Sequence, residues 1–151
     1  MRASDPDASI YWLARMIEAG EDLMFIARRI VILAAEDVGI ADPSALGVAV
    51  AAQQAAHFIG YPEAAIPLAE ATIYMATAPK SNASYKALLA AKYEVQNGLQ
   101  YPIPLHLRNA VTKLMKDLGY GDDYVYPHDH EGHFSGQRNL PEEIALKQFY
   151  F

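Results

Sequence analysis

At 151 residues, 52% apolar and 20% charged, the chain is long enough for one domain burying roughly 70% of its unfolded surface, and its composition excludes disorder. It has no cysteine, which excludes a disulfide framework and a thiolate zinc site and permits a reducing cytoplasm. A net charge of −6 runs against the clustered basic face with which a domain holds nucleic acid on its own.

The opening Met1-Arg2-Ala3-Ser4 has no apolar run of the kind a signal peptide needs. Asp5-Pro6 then opens a predicted helix that closes at Gly20, with Ile10, Leu13, Ala14 and Ile17 at helical spacing. Asp22 opens a second that closes at Gly39. Its stripe is Leu23, Ile26, Ala27, Ile30 and Ala34, with Phe25, Ile32, Ala35 and Val38 outside it. Asp42-Pro43 opens a third that runs to Gly60 and is apolar nearly all round, chiefly through alanine. Pro62 opens a fourth that ends before Pro79, and Ser81 or Asn82 caps a fifth that stops at Gly98. Pro104 precedes a sixth that stops at Gly119, with Leu107, Val111, Leu114 and Leu118 on one face. Acidic or amide caps, early prolines and closing glycines in this order signal helices, because each satisfies or spares the orphan groups of a helix end.

Beyond Gly119 the helical period is lost. Residues 120–140 carry turn formers, acids, histidines and aromatics, Leu140-Pro141-Glu142-Glu143 starts a short final helix, and Phe149-Tyr150-Phe151 ends the chain. The expected architecture is all-α, a single domain over 1–151: a core of about six main helices over 1–119, then an ordered, aromatic-rich strap over 120–151. Residues 43–62 lack charge and are long enough for a membrane span, but Ser44, Gln53, Gln54 and His57 and the many alanines favour a buried helix. Two helices apolar on more than one side need covering by neighbours or by another subunit, a hint of self-association.

Catalytic machinery is missing. No phosphate loop of either glycine-rich pattern occurs, and Gly119-Tyr120-Gly121 runs into Asp122-Asp123, whose charges repel phosphate. No nucleophile elbow is present, and Ser81, although close to Lys80 and Ser84, reads as a helix cap. His128, His130 and His133, interleaved with Asp129 and Glu131, are the candidate metal ligands, in principle those of a metal-dependent enzyme. The reading preferred for them is a polar loop open to solvent. His57 reads as a hydrogen-bonded core residue, and the Arg28-Arg29 pair as partnered by Glu36 or Glu18. Arg108, Asn109, Lys113 and Lys116 are expected on the polar face of the sixth helix. Together with Lys80 and Asn82 they are the candidates for contact with an acidic peptide or a DNA backbone, although three charges on one helix are few for nucleic acid.

Several runs, in order along the chain, resemble the C-terminal region of the RarA/MgsA family of AAA+ ATPases, relatives of the Werner-helicase-interacting protein. They begin with Ser4-Asp5-Pro6-Asp7-Ala8 and Tyr11-Trp12-Leu13-Ala14-Arg15-Met16, then Ala27-Arg28-Arg29 with 36–43, and Ala78-Pro79-Lys80-Ser81-Asn82. Pro104-Leu105-His106-Leu107-Arg108-Asn109-Ala110, Leu114-Met115-Lys116, Gly119-Tyr120-Gly121, Tyr126-Pro127-His128-Asp129 and Leu140-Pro141-Glu142-Glu143 complete the series. The resemblance implies a clamp-loader-collar-like helical domain that assembles into homotetramers. It further implies an N-terminal ATPase core, with its ATP and magnesium, lying outside these residues. The intact proteins would act in the cytoplasm, at the nucleoid, on stalled forks and DNA ends, with DNA and single-stranded-DNA-binding protein as partners and no membrane. Met1 is then expected to be an introduced start. The run 130–133 is richer in histidine than the family pattern and the last residues are less basic, so metal binding gains nothing from the resemblance.

Overall fold

The computed structural model describes residues 1–151 and is all-helical. Its helices are α1 (Pro6–Glu18), α2 (Leu23–Leu33), α3 (Ser44–Ile59), α4 (Ala65–Thr77), α5 (Ala83–Asn97) and α6 (Lys113–Asp117), and the remaining helical pieces are single turns. No helix is long and apolar enough to cross a membrane. Packing divides the chain into two compact units, Met1–Ala90 with Tyr150–Phe151, and Ala91–Phe149.

The caps expected of the first two helices form. Asp5 accepts from the Ala8 amide at 2.9 Å, and Asp22 accepts from Met24 at 2.9 Å and Phe25 at 3.2 Å. In the first unit α4 packs on α1, α2 and α3, and α3 also packs on α2. Ala45, Ala49, Ala52 and Ala56 make the buried face of α3; Ile26, Ala27 and Ile30 that of α2, continued beyond its end by Ala34; Leu68, Ala71, Met75 and Ala76 that of α4. Small side chains on α3 let neighbouring backbones come close, while Ile30, Leu68 and Met75 fill the space between. The spacing on α1 needs one correction: Ala14 is exposed, and the inward face is Ser9, Leu13 and, in part, Ile10 and Ile17.

The helix predicted to run from Asp22 to Gly39 changes character near its end. Residues Ala34–Val38 form a π-turn, and Gly39–Ala41 a 3-10 turn. The wider turn brings Val38, expected outside the stripe, into full burial. It also presents the Asp37 carbonyl to the Ser81 amide at 2.8 Å. Gly39 has φ +53, and a Cβ there would sit 2.5 Å from the Ser81 carbonyl oxygen, so this joint requires glycine twice over. Arg2 clasps the same turn, with Nε donating to Asp37 Oδ1 at 2.7 Å and Nη2 to Asp37 Oδ2 at 3.0 Å and Glu36 Oε1 at 3.2 Å. Glu36 is thereby paired with Arg2, not with the Arg28-Arg29 pair; Arg28 reaches Asp22 at 3.3 Å in solvent.

Two expectations about the rest of the chain are corrected. The predicted sixth helix is one 3-10 turn at Leu105–Leu107 followed, after an extended break, by α6 alone, whose N-terminus Thr112 caps by accepting from the Met115 amide at 3.3 Å. The final helix is a single 3-10 turn, Glu142–Ile144. Residues Pro127–Asp129 and Glu131–His133 form two more such turns.

Gly39→Ala is expected to destabilise the chain by roughly 2–3 kcal/mol, read from denaturant unfolding, because it combines a left-handed backbone with a backbone clash. Tyr74 donates its hydroxyl to Asp42 Oδ2 at 2.6 Å, and this bond, helped by desolvation, raises the phenol above its usual 10.0. The fold therefore favours the protonated phenol. Its contribution is full below pH 10.0 and fades as pH climbs through the higher folded value. Tyr74→Phe should accordingly lower the melting temperature at neutral pH, and the gap to wild type should close above pH 10.0.

Candidate assembly surfaces

Large apolar side chains stand in solvent along the first unit. On α1, Tyr11 and Trp12 are each 57% exposed, their rings edge to face at 5.3 Å, and the Arg15 guanidinium lies 5.4 Å from the Trp12 ring centre. Phe25 and Ile32 of α2 and Leu46, Val50 and Phe58 of α3 are exposed too, Phe58 at 91%. These are the sides of α2 and α3 for which the chain's own helices provide no cover.

Helix α5 is the extreme case. None of its 15 residues is buried, and no other element packs on it as α1–α4 pack on one another. Tyr85, Leu88 and Leu89 are exposed at i, i+3 and i+4, one stripe along the helix, and Tyr93 continues the spacing. Helices of this length are marginal in water without an apolar face to bury. Sequence reasoning recognised the helix but passed over this stripe, which the same spacing rule reveals. Within the second unit, Val95, Leu99, Tyr101, Leu140, Ile144 and Phe149 line a groove of about 580 Å³. Glu94, also on its wall, is paired with Lys147.

The cationic candidates divide between the units. Lys80 and Asn82 belong to the first, where they line a small cleft with Arg2, Asp37 and Ser81. The Lys80 ammonium donates to the Ala78 carbonyl at 2.6 Å, Ser4 Oγ at 3.2 Å and the Ala76 carbonyl at 3.4 Å, closing the carbonyl end of α4. Desolvation lowers its pKa, with Asp37 opposing. Arg108, Asn109, Lys113 and Lys116 belong to the second unit. They do not share a helix face, since Arg108 and Asn109 precede α6 in extended chain. Arg108 donates from Nε to the Ile103 carbonyl at 2.7 Å and from Nη1 to the Tyr120 hydroxyl at 3.2 Å, with its guanidinium 5.1 Å from the Tyr120 ring centre. Asn109, Lys113 and Lys116 are exposed.

His57 is a further correction: it is exposed near the end of α3 instead of hydrogen-bonded in the core, because the buried alanines lie on the opposite face. Of the candidate metal ligands, His128 and His133 face each other through their Nδ1 atoms at 3.3 Å, while His130 makes no side-chain bond to them. No group of three imidazoles or carboxylates gathers at metal-binding distance. Ser81 Oγ accepts from the Ala83 amide at 3.4 Å, at the start of α5.

Arg108→Ala removes bonds that hold residues 103–120. At about 1.5 kcal/mol for a charge-assisted bond, it should speed amide exchange there about tenfold and leave α1–α4 unchanged.

Comparison with known proteins places this arrangement. Residues 3–151 match the family described as MgsA AAA+ ATPase C terminal. The chain is 47% identical over 152 residues to a Replication-associated recombination protein A of Coxiella burnetii and, equally, to that of Escherichia coli strain K12. Each match covers 100% of this chain and 34% of the relative, so the chain spans about a third of their length. It is also 43% identical over 152 residues to the ATPase WRNIP1 of Dictyostelium discoideum, covering 99% of this chain and 17% of that protein. An all-helical chain matched from residue 3 to its last residue thus belongs to the MgsA AAA+ ATPase C-terminal family.

Proposed function

We propose that this chain is the self-assembly domain of an AAA+ ATPase acting in replication-associated recombination, and that it performs no catalysis itself. The observation that carries the reading is α5, a 15-residue helix without one buried residue and with Tyr85, Leu88 and Leu89 in a row. Covering such a stripe with a sister subunit stabilises both the helix and the assembly, at about 1 kcal/mol for each of these half-exposed side chains. The exposed aromatic pair Tyr11 and Trp12 adds surface of the residue types that dominate protein contacts. By family resemblance the assembly is a homotetramer that holds four ATPase modules around DNA. ATP, magnesium and DNA-stimulated hydrolysis belong in this reading to the rest of the protein, in the cytoplasm at the nucleoid.

An adaptor reading, in which the domain receives single-stranded-DNA-binding protein or a DNA backbone, draws support from the exposed Lys113 and Lys116 of α6. It is the lesser reading, because Lys80 and Arg108 spend their charges on the chain's own carbonyls.

Light scattering over a concentration series tests the assembly directly. The chain should run as a multimer of four at micromolar concentration, and Leu88→Asp with Leu89→Asp should yield a smaller species with unchanged α1–α4 amide protection. A monomer in the wild type would overturn the reading and bring salt-sensitive binding through Lys113 and Lys116 to the front.

A further inference from the structure

The turn at residues 126–133 holds two imidazoles in a geometry unusual for a solvent-facing loop. Two 3-10 turns follow one another, the first closed by the His130 amide on the Pro127 carbonyl at 3.1 Å, the second by the His133 amide on the His130 carbonyl at 3.0 Å. His130 between them is extended. Gly132 (φ +67) and His133 (φ +56) are both left-handed. For a residue with a side chain that conformation costs about 1 kcal/mol or more, and here it turns His133 back onto His128. The rings lie 4.9 Å apart at 59°, and the Tyr126 ring packs 5.1 Å from His128.

The separation of the two Nδ1 atoms is informative. At 3.3 Å they are within hydrogen-bond reach, with the donor set by the tautomers of the two rings. Two nitrogens each about 2.0–2.1 Å from a tetrahedral zinc ion stand about 3.3–3.4 Å apart, so the pair is spaced as one edge of such a site. Both side chains are exposed, so an ion reaches them without unfolding. Asp129 and Glu131 sit within the same run, and the net charge of −6 attracts divalent cations.

We propose that His128 and His133 bind one zinc ion through their Nδ1 atoms, clipping the two turns together. No third histidine, aspartate or glutamate converges on the pair, so water fills the remaining positions and the site is of the open, exchangeable kind. His130 is not a ligand, because it is extended between the turns and makes no bond to either ring. This differs from the metal-dependent enzyme that three histidines in sequence suggest: it is a two-ligand clip, with no catalytic role assigned. Zinc competes with protons for the imidazole nitrogens, so binding should weaken as the solution is made acid.

The test is calorimetric titration of the full chain, free of any polyhistidine tag, with zinc chloride at about pH 7.5 and about pH 5.5. His128→Ala, His133→Ala and His130→Ala are compared, all at exposed positions. One equivalent should bind at the higher pH. Affinity should fall at least about tenfold in His128→Ala and in His133→Ala, since even outer-shell losses cost that much, and stay within about twofold in His130→Ala. Wild-type affinity retained in His133→Ala, an equal loss in His130→Ala, or no stoichiometric binding would each overturn the proposal.

Discussion

The alanine face of α3 governs how near α2 and α4 can come, and most of the first unit follows from that spacing. Ala45, Ala49, Ala52 and Ala56 bring backbone close to backbone, and the gaps are then filled by Ile26 and Ile30 from one side and Leu68 and Met75 from the other. A core built on small residues is compact and has few inward places for large side chains. Phe25, Ile32, Leu46, Val50 and Phe58 are left on the outside of the same helices.

The joint at Asp37, Gly39 and Ser81 carries this geometry to the start of α5. A π-turn offers a backbone carbonyl outward, glycine allows the approach, and the Ser81 amide docks on it. Lys80, one residue earlier, uses its ammonium to close the end of α4. The segment between α4 and α5 is therefore held by a backbone hydrogen bond and the Lys80 ammonium, and α5 leaves it with Tyr85, Leu88 and Leu89 exposed.

Basic residues that look alike in sequence have different occupations. Arg108 and Lys80 serve local architecture, whereas Lys113 and Lys116 on α6 face solvent. A long cationic side chain goes where unsatisfied carbonyls are, and these occur at helix ends and extended breaks.

The all-helical class and the first five helices were legible in the residues, because capping, proline placement and period act within a few positions. Asp5 and Asp22 cap as their spacing requires, and the buried stripe of α2 is the one its period marks. Family membership was legible as well, through short runs kept in order along the chain. Where the reading failed, distant contacts outweighed local preference. Leu107, Val111, Leu114 and Leu118 have helical spacing, yet the Leu105 carbonyl accepts from the Arg108 amide in a 3-10 turn and from the Gly121 amide, and Arg108 is bonded to Ile103 and Tyr120, with the chain extended where a helix was expected. His57 fell outside the core for a related reason: period names a face, but only packing chooses which face of an almost wholly apolar helix turns inward. The meeting of His128 with His133 likewise needed a left-handed backbone at a non-glycine residue, which no local preference in the sequence announces.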